Sequence, residues 1–449
     1  MTFANELAQR AAAISLDDSG DEAIHIAKRA VADTLGVTVA GAGADFIASL
    51  ETVLGTAAAP GKATRVARNG RSTMLHAALV NGTAAHALDF DDCSTTLGGH
   101  PSAPMVPALL AIAEDHGFGG KAVIEAYLAG FETETRLARG LLPHHYEKGW
   151  HPTATLGVFG ATVASARLLG LEAPALANAL AMTVSMTSGL KSNFGTPVKP
   201  LHVGQAAHNG MLAALLTSAG VTANLEAFEH AYGFFNVLNG EGTFSIEKIL
   251  DDWHGTPEIL KPGIAIKQHP CCGSAHSAID SALKIRAAQG ALGPDGIAAI
   301  ETWTHERRLA HTNRPEPATA LDAKFSVQFL TAKALTDGQL RIADFREGAF
   351  MTPAVAELLK VTTSTHHTGD DQYLGRVRVT MKDGRVFEEV ASTNFGRGPL
   401  NPMTDAELFE KFSDCVSGHM DPAAAQEAFD AVLSMDVHDD VAGMMRLFA

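Results

Sequence analysis

The stretch His151–Gly170, HPTATLGVFGATVASARLLG, decides what kind of fold this chain forms. Pro152 suits the first position of a helix, where its missing N–H leaves no bond unmade. Behind it, Ala154, Gly157 and Ala161 recur three or four residues apart, so one helix face is small enough for a neighbour to approach closely. The same texture returns in VGQAAHNGMLAALLTSAG (203–220). In DEAIHIAKRAVADTLGVTVAGA (21–42), apolar positions keep helical spacing, and Asp21 and Glu22 occupy the first turn, where they complement the helix dipole. These segments predict buried, closely packed helices.

Composition agrees. The chain has 449 residues, of which 46% are hydrophobic and only 6% aromatic, a balance that favours packed helices over a β-sandwich. That length suggests two or three domains and supports a large buried core. The texture changes between about 263 and 397. There GIAAIETWTH (296–305) alternates like a strand, and YLGRVRVTMKDGRVFEEVAS (373–392) reads as two strands joined through Asp383 and Gly384. Helices are expected from about Ser274 and from about Ala323. The predicted organisation is mainly α: a helical part over 1–262, a smaller α+β domain over 263–397, and a helical C-terminal part over 398–449.

The formal charge of −16 argues against nucleic acid or an anionic membrane as partner, because phosphate binding needs a basic face. Four cysteines (Cys93, Cys271, Cys272, Cys415) form no CxxC pattern, which suits reduced thiols. The start, MTFANELAQR, has no apolar signal region, and no apolar run reaches the ~18 residues of a membrane helix. The expected location is the cytoplasm.

Chemistry concentrates in ALDFDDCSTTLGGHPSAP (87–104), with Asp89, Asp91 and Asp92 followed by His100. Three readings compete: a metal cage, a solvated helix end, and a proton-transfer pair in which a carboxylate fixes the tautomer of an imidazole. A magnesium cluster lacks a third acid at DDxxD spacing, and no second metal motif follows, so no metal is expected. The segment before it, AALVNGTAAHALDF, is expected to be a helix with Asp89 near its C-terminal end.

His151 precedes Pro152 at a predicted helix start, where the dipole keeps an imidazole neutral; a simple capping role is the alternative. Lys199, in LKSNFGTPVKPLHVGQAAHNG, lies where a polar loop enters a helix, a place suited to a carboxylate. Lys267, in AIKQHPCCGSAH, raises the same question at the start of the α+β region.

Together these pieces resemble the MmgE/PrpD family. The segments that carry the resemblance are AKRAVADTLGVTVAGA, VNGTAAHALDFDD, GHPSAPMVPALL, GWHPTATLGVFGA, KSNFGTPVKPLHVGQAAHNG, IKQHPCCGSAH, AKFSVQFLTAKAL and NPMTDAELFEKF, in the family's order and over nearly the whole chain. The resemblance implies a helical domain built from both chain ends, an inserted α+β lid domain and a homodimer. It also implies cofactor-independent chemistry on small di- or tricarboxylates. The catalytic set it implies is Asp89, His100, His151, Lys199 and Lys267. Asn193, Thr196 and His202 in one segment, and Cys272 and His276 in another, are expected to contact substrate.

Family activities include 2-methylcitrate dehydratase, cis-aconitate decarboxylase and iminodisuccinate epimerase. Cys272 stands where the decarboxylase branch has a histidine, which weakens that branch, while the chain's length and its GWHPT, TLGVFGA and NFGT wording resemble the epimerase type. The chemistry shared by these activities is proton abstraction from a carbon next to a carboxylate, which builds negative charge on that carboxylate, so a positioned base (His151 or His100) and fixed cations (Lys199 and Lys267) are needed. Asp89 with His100 is therefore read as the proton-transfer pair, with Asp91 and Asp92 in supporting positions. The leading expectation is a hydro-lyase of the 2-methylcitrate dehydratase kind. An epimerase of an imino- or amino-dicarboxylate, a cis-aconitate decarboxylase and a non-catalytic organic-acid binder are the alternatives.

Overall fold

The computed structural model describes residues 1–55, 59–346, 348–393 and 396–449. They form two compact units, Met1–Ile264 with Met403–Ala449, and Ala265–Pro402. The fold is mainly α with a smaller α+β part, the class expected from the sequence.

In the first unit, the principal helices are Leu16–Ala42, Met74–Ala85, Ser102–His116, Gly120–Leu141, Gly157–Leu168, Ala173–Thr183 and Val198–Ser218, joined by Asp405–Val416 and Pro422–Leu433 from the chain's end. Small residues set their spacing. Met74–Ala85 crosses Val198–Ser218 where Gly82 meets Gly204: a Cβ on Gly204 would stand 2.1 Å from Thr83 Oγ1, so only glycine fits. That crossing brings the C-terminal end of one helix beside the N-terminal turn of the other, which positions the site described below. Asp405–Val416 packs on Leu16–Ala42 and starts in a reciprocal cap, Thr404 accepting from the Glu407 N–H and Glu407 from that of Thr404. Pro152 takes the first position of a short helix, Pro152–Thr155, with His151 as its N-cap residue.

The structure corrects one local expectation. The helix expected to run to Asp89 ends at Ala85, His86 caps it, and the chain turns through Asp89 in the left-handed region at φ +53°. That conformation is uncommon outside glycine.

The second unit has a four-stranded sheet in the order Thr362–His367, Ile297–His305, Leu374–Met381, Val386–Ser392. The first pair is parallel, with Ile300 opposite Thr362, and the other two are antiparallel. The hairpin turns where expected, Gly384 adopting φ +88° and donating its N–H to the Met381 carbonyl. Along Leu374–Met381 burial alternates, and Val377 and Val379 share one core with Ile279 of the His276–Gln289 helix and Phe329 of the Val327–Asp337 helix. The Thr362–His367 strand was not anticipated. Among the described residues, no single helix is long and apolar enough to cross a membrane.

Candidate active site

The first unit gathers Asp89, His100, His151, Lys199 and His202. The turn after the Met74–Ala85 helix supplies Asp89. Its Oδ1 lies 3.2 Å from His100 Nε2 and 3.2 Å from Lys199 Nζ, the latter in the first turn of the Val198–Ser218 helix. His100, just before the Ser102–His116 helix, is fixed through its backbone N–H, which donates to Thr153 Oγ1 at 3.1 Å.

The other side of His100 meets a group the sequence placed only in support. Asp91 Oδ2 lies 3.2 Å from His100 Nδ1, and both Asp91 oxygens accept from His86 Nδ1, at 3.0 and 2.8 Å. Neither the His86 nor the Asp91 side chain has any solvent exposure. Burial works to raise the Asp91 pKa, but His100 and His86 outweigh it and hold the carboxyl well below the usual carboxylate range. Burial lowers the His86 pKa to about 4 despite Asp91, so His86 is neutral at pH 7. An ionised carboxylate only accepts, so His86 carries its proton on Nδ1. His100 faces a carboxylate at each ring nitrogen, and both contacts are favourable only when it carries both ring protons. That is the acid form.

His151 has a different environment. Its backbone N–H donates to the Gly189 carbonyl at 3.1 Å, and its ring centroid lies 5.6 Å from His86, 5.7 Å from His202 and 4.9 Å from Phe194. Burial first, with the charge of Lys199 adding to it, pushes its pKa well below the usual imidazole value. His202 is lowered by burial and by Lys199. The His151 and His202 Nδ1 atoms and His86 Nε2 are buried without a hydrogen-bond partner, so this row of rings keeps unused polar atoms beside the acid.

Asp92 turns away from the imidazoles. It accepts from the Ser102 hydroxyl at 2.5 Å and the Ser102 N–H at 3.3 Å, and Ser102 Oγ lies 2.8 Å from Tyr127 OH. Burial first, then the nearby Asp33 charge, push its pKa up to about 7. Cys93 Sγ lies 3.7 Å from His100 Nδ1. Asn193 and Thr196 belong to the segment leading to Lys199, where Thr196 Oγ1 donates to the Asn193 carbonyl and accepts from the Val198 N–H.

Ligand atoms of His86, Asp89, Asp91 and His100 lie within 4.8 Å of one another, a composition that suits a divalent ion. Here Asp91 is already the acceptor for His86, and the Lys199 ammonium holds Asp89.

Lys267, Cys272 and His276 belong to the second unit. Lys267 is buried, and His276 is completely buried with neither ring nitrogen hydrogen-bonded; burial holds its pKa well below the usual value. Its ring lies 5.1 Å from His269, which is 3.1 Å from Asp280 Oδ1 through Nε2, and Asp280 also accepts from Thr393.

Comparison with known proteins now bears on this arrangement. Residues 5–247 match the MmgE/PrpD N-terminal domain and residues 269–436 the MmgE/PrpD C-terminal domain. The chain belongs to the MmgE/PrpD family. The resemblance carried by the eight sequence segments is thus borne out. Relatives within the family include the cis-aconitate decarboxylase of Mus musculus, 27% identical over 446 residues, which cover 95% of this chain and 89% of that protein. The cis-aconitate decarboxylase of Homo sapiens is 29% identical over 419 residues, covering 87% of this chain and 83% of that one. That of Aspergillus terreus strain NIH 2624 / FGSC A1156 is 27% identical over 474 residues, covering 98% and 95%. In this MmgE/PrpD chain, sequence reasoning missed His86 and undervalued Asp91. The available signal was AHALDFDD itself, with a histidine five residues before an aspartate across a turn.

Proposed function

We propose that this chain is a lyase that decarboxylates a small unsaturated tricarboxylate of the cis-aconitate type. The observation that carries the proposal is His100, whose two ring nitrogens each lie 3.2 Å from a carboxylate oxygen, of Asp89 and of Asp91, with Lys199 3.2 Å from Asp89. The near full-length similarity to cis-aconitate decarboxylases supports this reading above the hydro-lyase that led the sequence-based expectations.

The chemistry fits these residues. As the C–CO2 bond breaks, its electron pair forms a new methylene double bond, and the pair of the old double bond moves to the carbon beside a retained carboxylate. Negative charge then spreads onto that carboxylate, where a cation such as Lys199 stabilises it. One proton must arrive at carbon, and His100 is the donor. The net change is loss of CO2 and uptake of one proton. Lys267 is proposed as a further carboxylate-binding cation on the strength of the family resemblance alone. The assembly proposed on the same basis is a homodimer, which sedimentation velocity tests.

A second reading is favoured by one observation: His151, kept neutral by burial, is a base-ready imidazole beside the acid. Dehydration or epimerisation would use such a base on a C–H bond.

Proton NMR in deuterated water, with CO2 detection, separates these readings over cis-aconitate, citrate, 2-methylcitrate and iminodisuccinate. Decarboxylation gives CO2, methylene proton signals and one deuteron in the product. Vinyl signals from a hydroxy acid without CO2 would replace the proposal with the hydro-lyase, and loss of a C–H signal alone with the epimerase. Silence with every acid would sink all three.

A further inference from the structure

Two segments that carried the family resemblance have no part in the chemistry above: AKRAVADTLGVTVAGA, which contains Asp33, and NPMTDAELFEKF, which contains Lys411. They meet beneath the Asp89 turn. Lys411 Nζ lies 2.5 Å from Asp33 Oδ1, and both side chains are buried. The same ammonium donates to the Phe90 carbonyl at 2.8 Å and lies 4.1 Å from the centre of the Phe90 ring. Phe90 is the residue between Asp89 and Asp91. One buried cation, supplied by the last part of the chain, therefore grips both the backbone and the ring of the residue that spaces the two carboxylates facing His100.

The turn needs such a hold. Asp89 has φ +53°, a conformation that persists outside glycine only where the surroundings enforce it. On the far side, Ser102 anchors Asp92 through its N–H and hydroxyl. Asp91 thus lies between two held residues, Phe90 and Asp92, with Asp89 directly before the first, and the Lys411 contact acts on the peptide between Phe90 and Asp91.

We infer that Lys411, with Asp33 as its counter-ion, is a positioning residue: it sets the separation of Asp89 and Asp91 and through them the protonation and orientation of His100. The inference rests on the reading of the Asp89–His100–Lys199 cluster as the reacting site. A buried ammonium has three donors that need acceptors whatever its role. The bond to the Phe90 carbonyl is what makes this one specific to the turn.

The test removes both charges together, because a lone buried charge is itself strongly destabilising. In D33N/K411M the chain keeps similar side-chain volumes but loses the grip on Phe90. D33N/K411Q restores an uncharged donor at that place. Far-UV circular dichroism and thermal melting establish that each variant is folded. Two readouts follow. With the substrate found for the parent, kcat of D33N/K411M falls at least about tenfold with KM changed less than about threefold, its pH profile shifts, and D33N/K411Q recovers part of the loss. In histidine-15N-labelled protein, which needs no substrate, the His100 ring resonances, assigned by difference against H100Q, move in D33N/K411M and return towards the parent positions in D33N/K411Q. A folded D33N/K411M with the parent's His100 resonances and pH profile overturns the inference. If the parent turns over none of the acids tested, the proposed function fails while the His100 resonances still decide this inference. If D33N/K411M does not fold, D33N/K411L, which likewise has no donor for the Phe90 carbonyl, takes its place with the same two readouts: displaced His100 resonances that return in D33N/K411Q support the inference, and parent-like ones in folded D33N/K411L overturn it.

Discussion

His86 Nδ1 donates to Asp91 Oδ2 at 2.8 Å in a place where neither side chain reaches solvent. A neutral imidazole thus holds one face of the carboxylate whose other contact is His100. The pair resembles a clamp: His86 fixes Asp91, and Asp91 fixes the Nδ1 proton of His100.

Asp91→Asn tests that clamp. The amide keeps the shape but loses the charge and turns a donor towards one of the two Nδ1–H groups. Turnover is expected to fall on the order of 10²–10⁴-fold, the scale of a lost acid–base function. Circular dichroism should show an intact fold. Parent-like turnover in folded Asp91→Asn would mean that His100 does not depend on Asp91.

Lys199→Met removes the cation that pairs with Asp89 and faces the histidine row. Lys199 lowers the pKa of both His151 and His202, so without it the imidazolium forms are less disfavoured and both values rise. A histidine NMR titration reads this directly. Turnover should fall by roughly 10²–10³-fold, as when a preorganised stabiliser of developing charge is removed. Unmoved His202 resonances would place Lys199 elsewhere in solution.

Asp92 gives a pH signature of its own. Its pKa is raised from 3.8 to about 7 in the folded chain, so the folded state holds a proton that the unfolded state has released across that window. The stability it contributes is present below 3.8 and is lost as pH rises through about 7. Asp92→Asn lacks this titration. The melting temperature of the parent, measured relative to Asp92→Asn, should therefore drop between about pH 4 and pH 7 and level off above. A difference that stays constant over that range would show that Asp92 does not titrate there.

What the sequence made legible was local. Small residues at helical spacing, Pro152 before a helix and Asp383–Gly384 between alternating segments each act through neighbours a few residues away, and each is found as expected. The Thr362–His367 strand escaped notice because TTSTHH lacks an apolar alternation and its partner, Ile297–His305, lies some sixty residues earlier in a parallel pairing. His86 reads as a polar residue in a helix and Asp91 as a loop acid. Their buried contact exists because Asp89 turns the chain through a left-handed conformation, which the five-residue spacing of His86 and Asp91 does not by itself specify. Lys411 reads as one more lysine on an amphipathic helix; only the packing of that helix on Leu16–Ala42 reveals that it is buried against Asp33.

The helix crossing that assembles the site makes the last prediction. At Gly204 a methyl group would stand 2.1 Å from Thr83 Oγ1 and 2.3 Å from the Leu79 carbonyl oxygen, so Gly204→Ala forces the Met74–Ala85 and Val198–Ser218 helices apart. Overpacking of this kind costs roughly 1–3 kcal/mol. The same displacement draws Lys199, near the start of one helix, away from Asp89 just beyond the end of the other, so turnover should fall together with the melting temperature. Gly418→Ala is the control, because a Cβ there meets nothing within 4 Å, and its stability should stay within about 0.5 kcal/mol of the parent. A Gly204→Ala protein that melts with the parent would show that the two helices are not packed on glycine. One that melts lower yet turns over substrate at the parent rate would separate the crossing from the placement of Lys199.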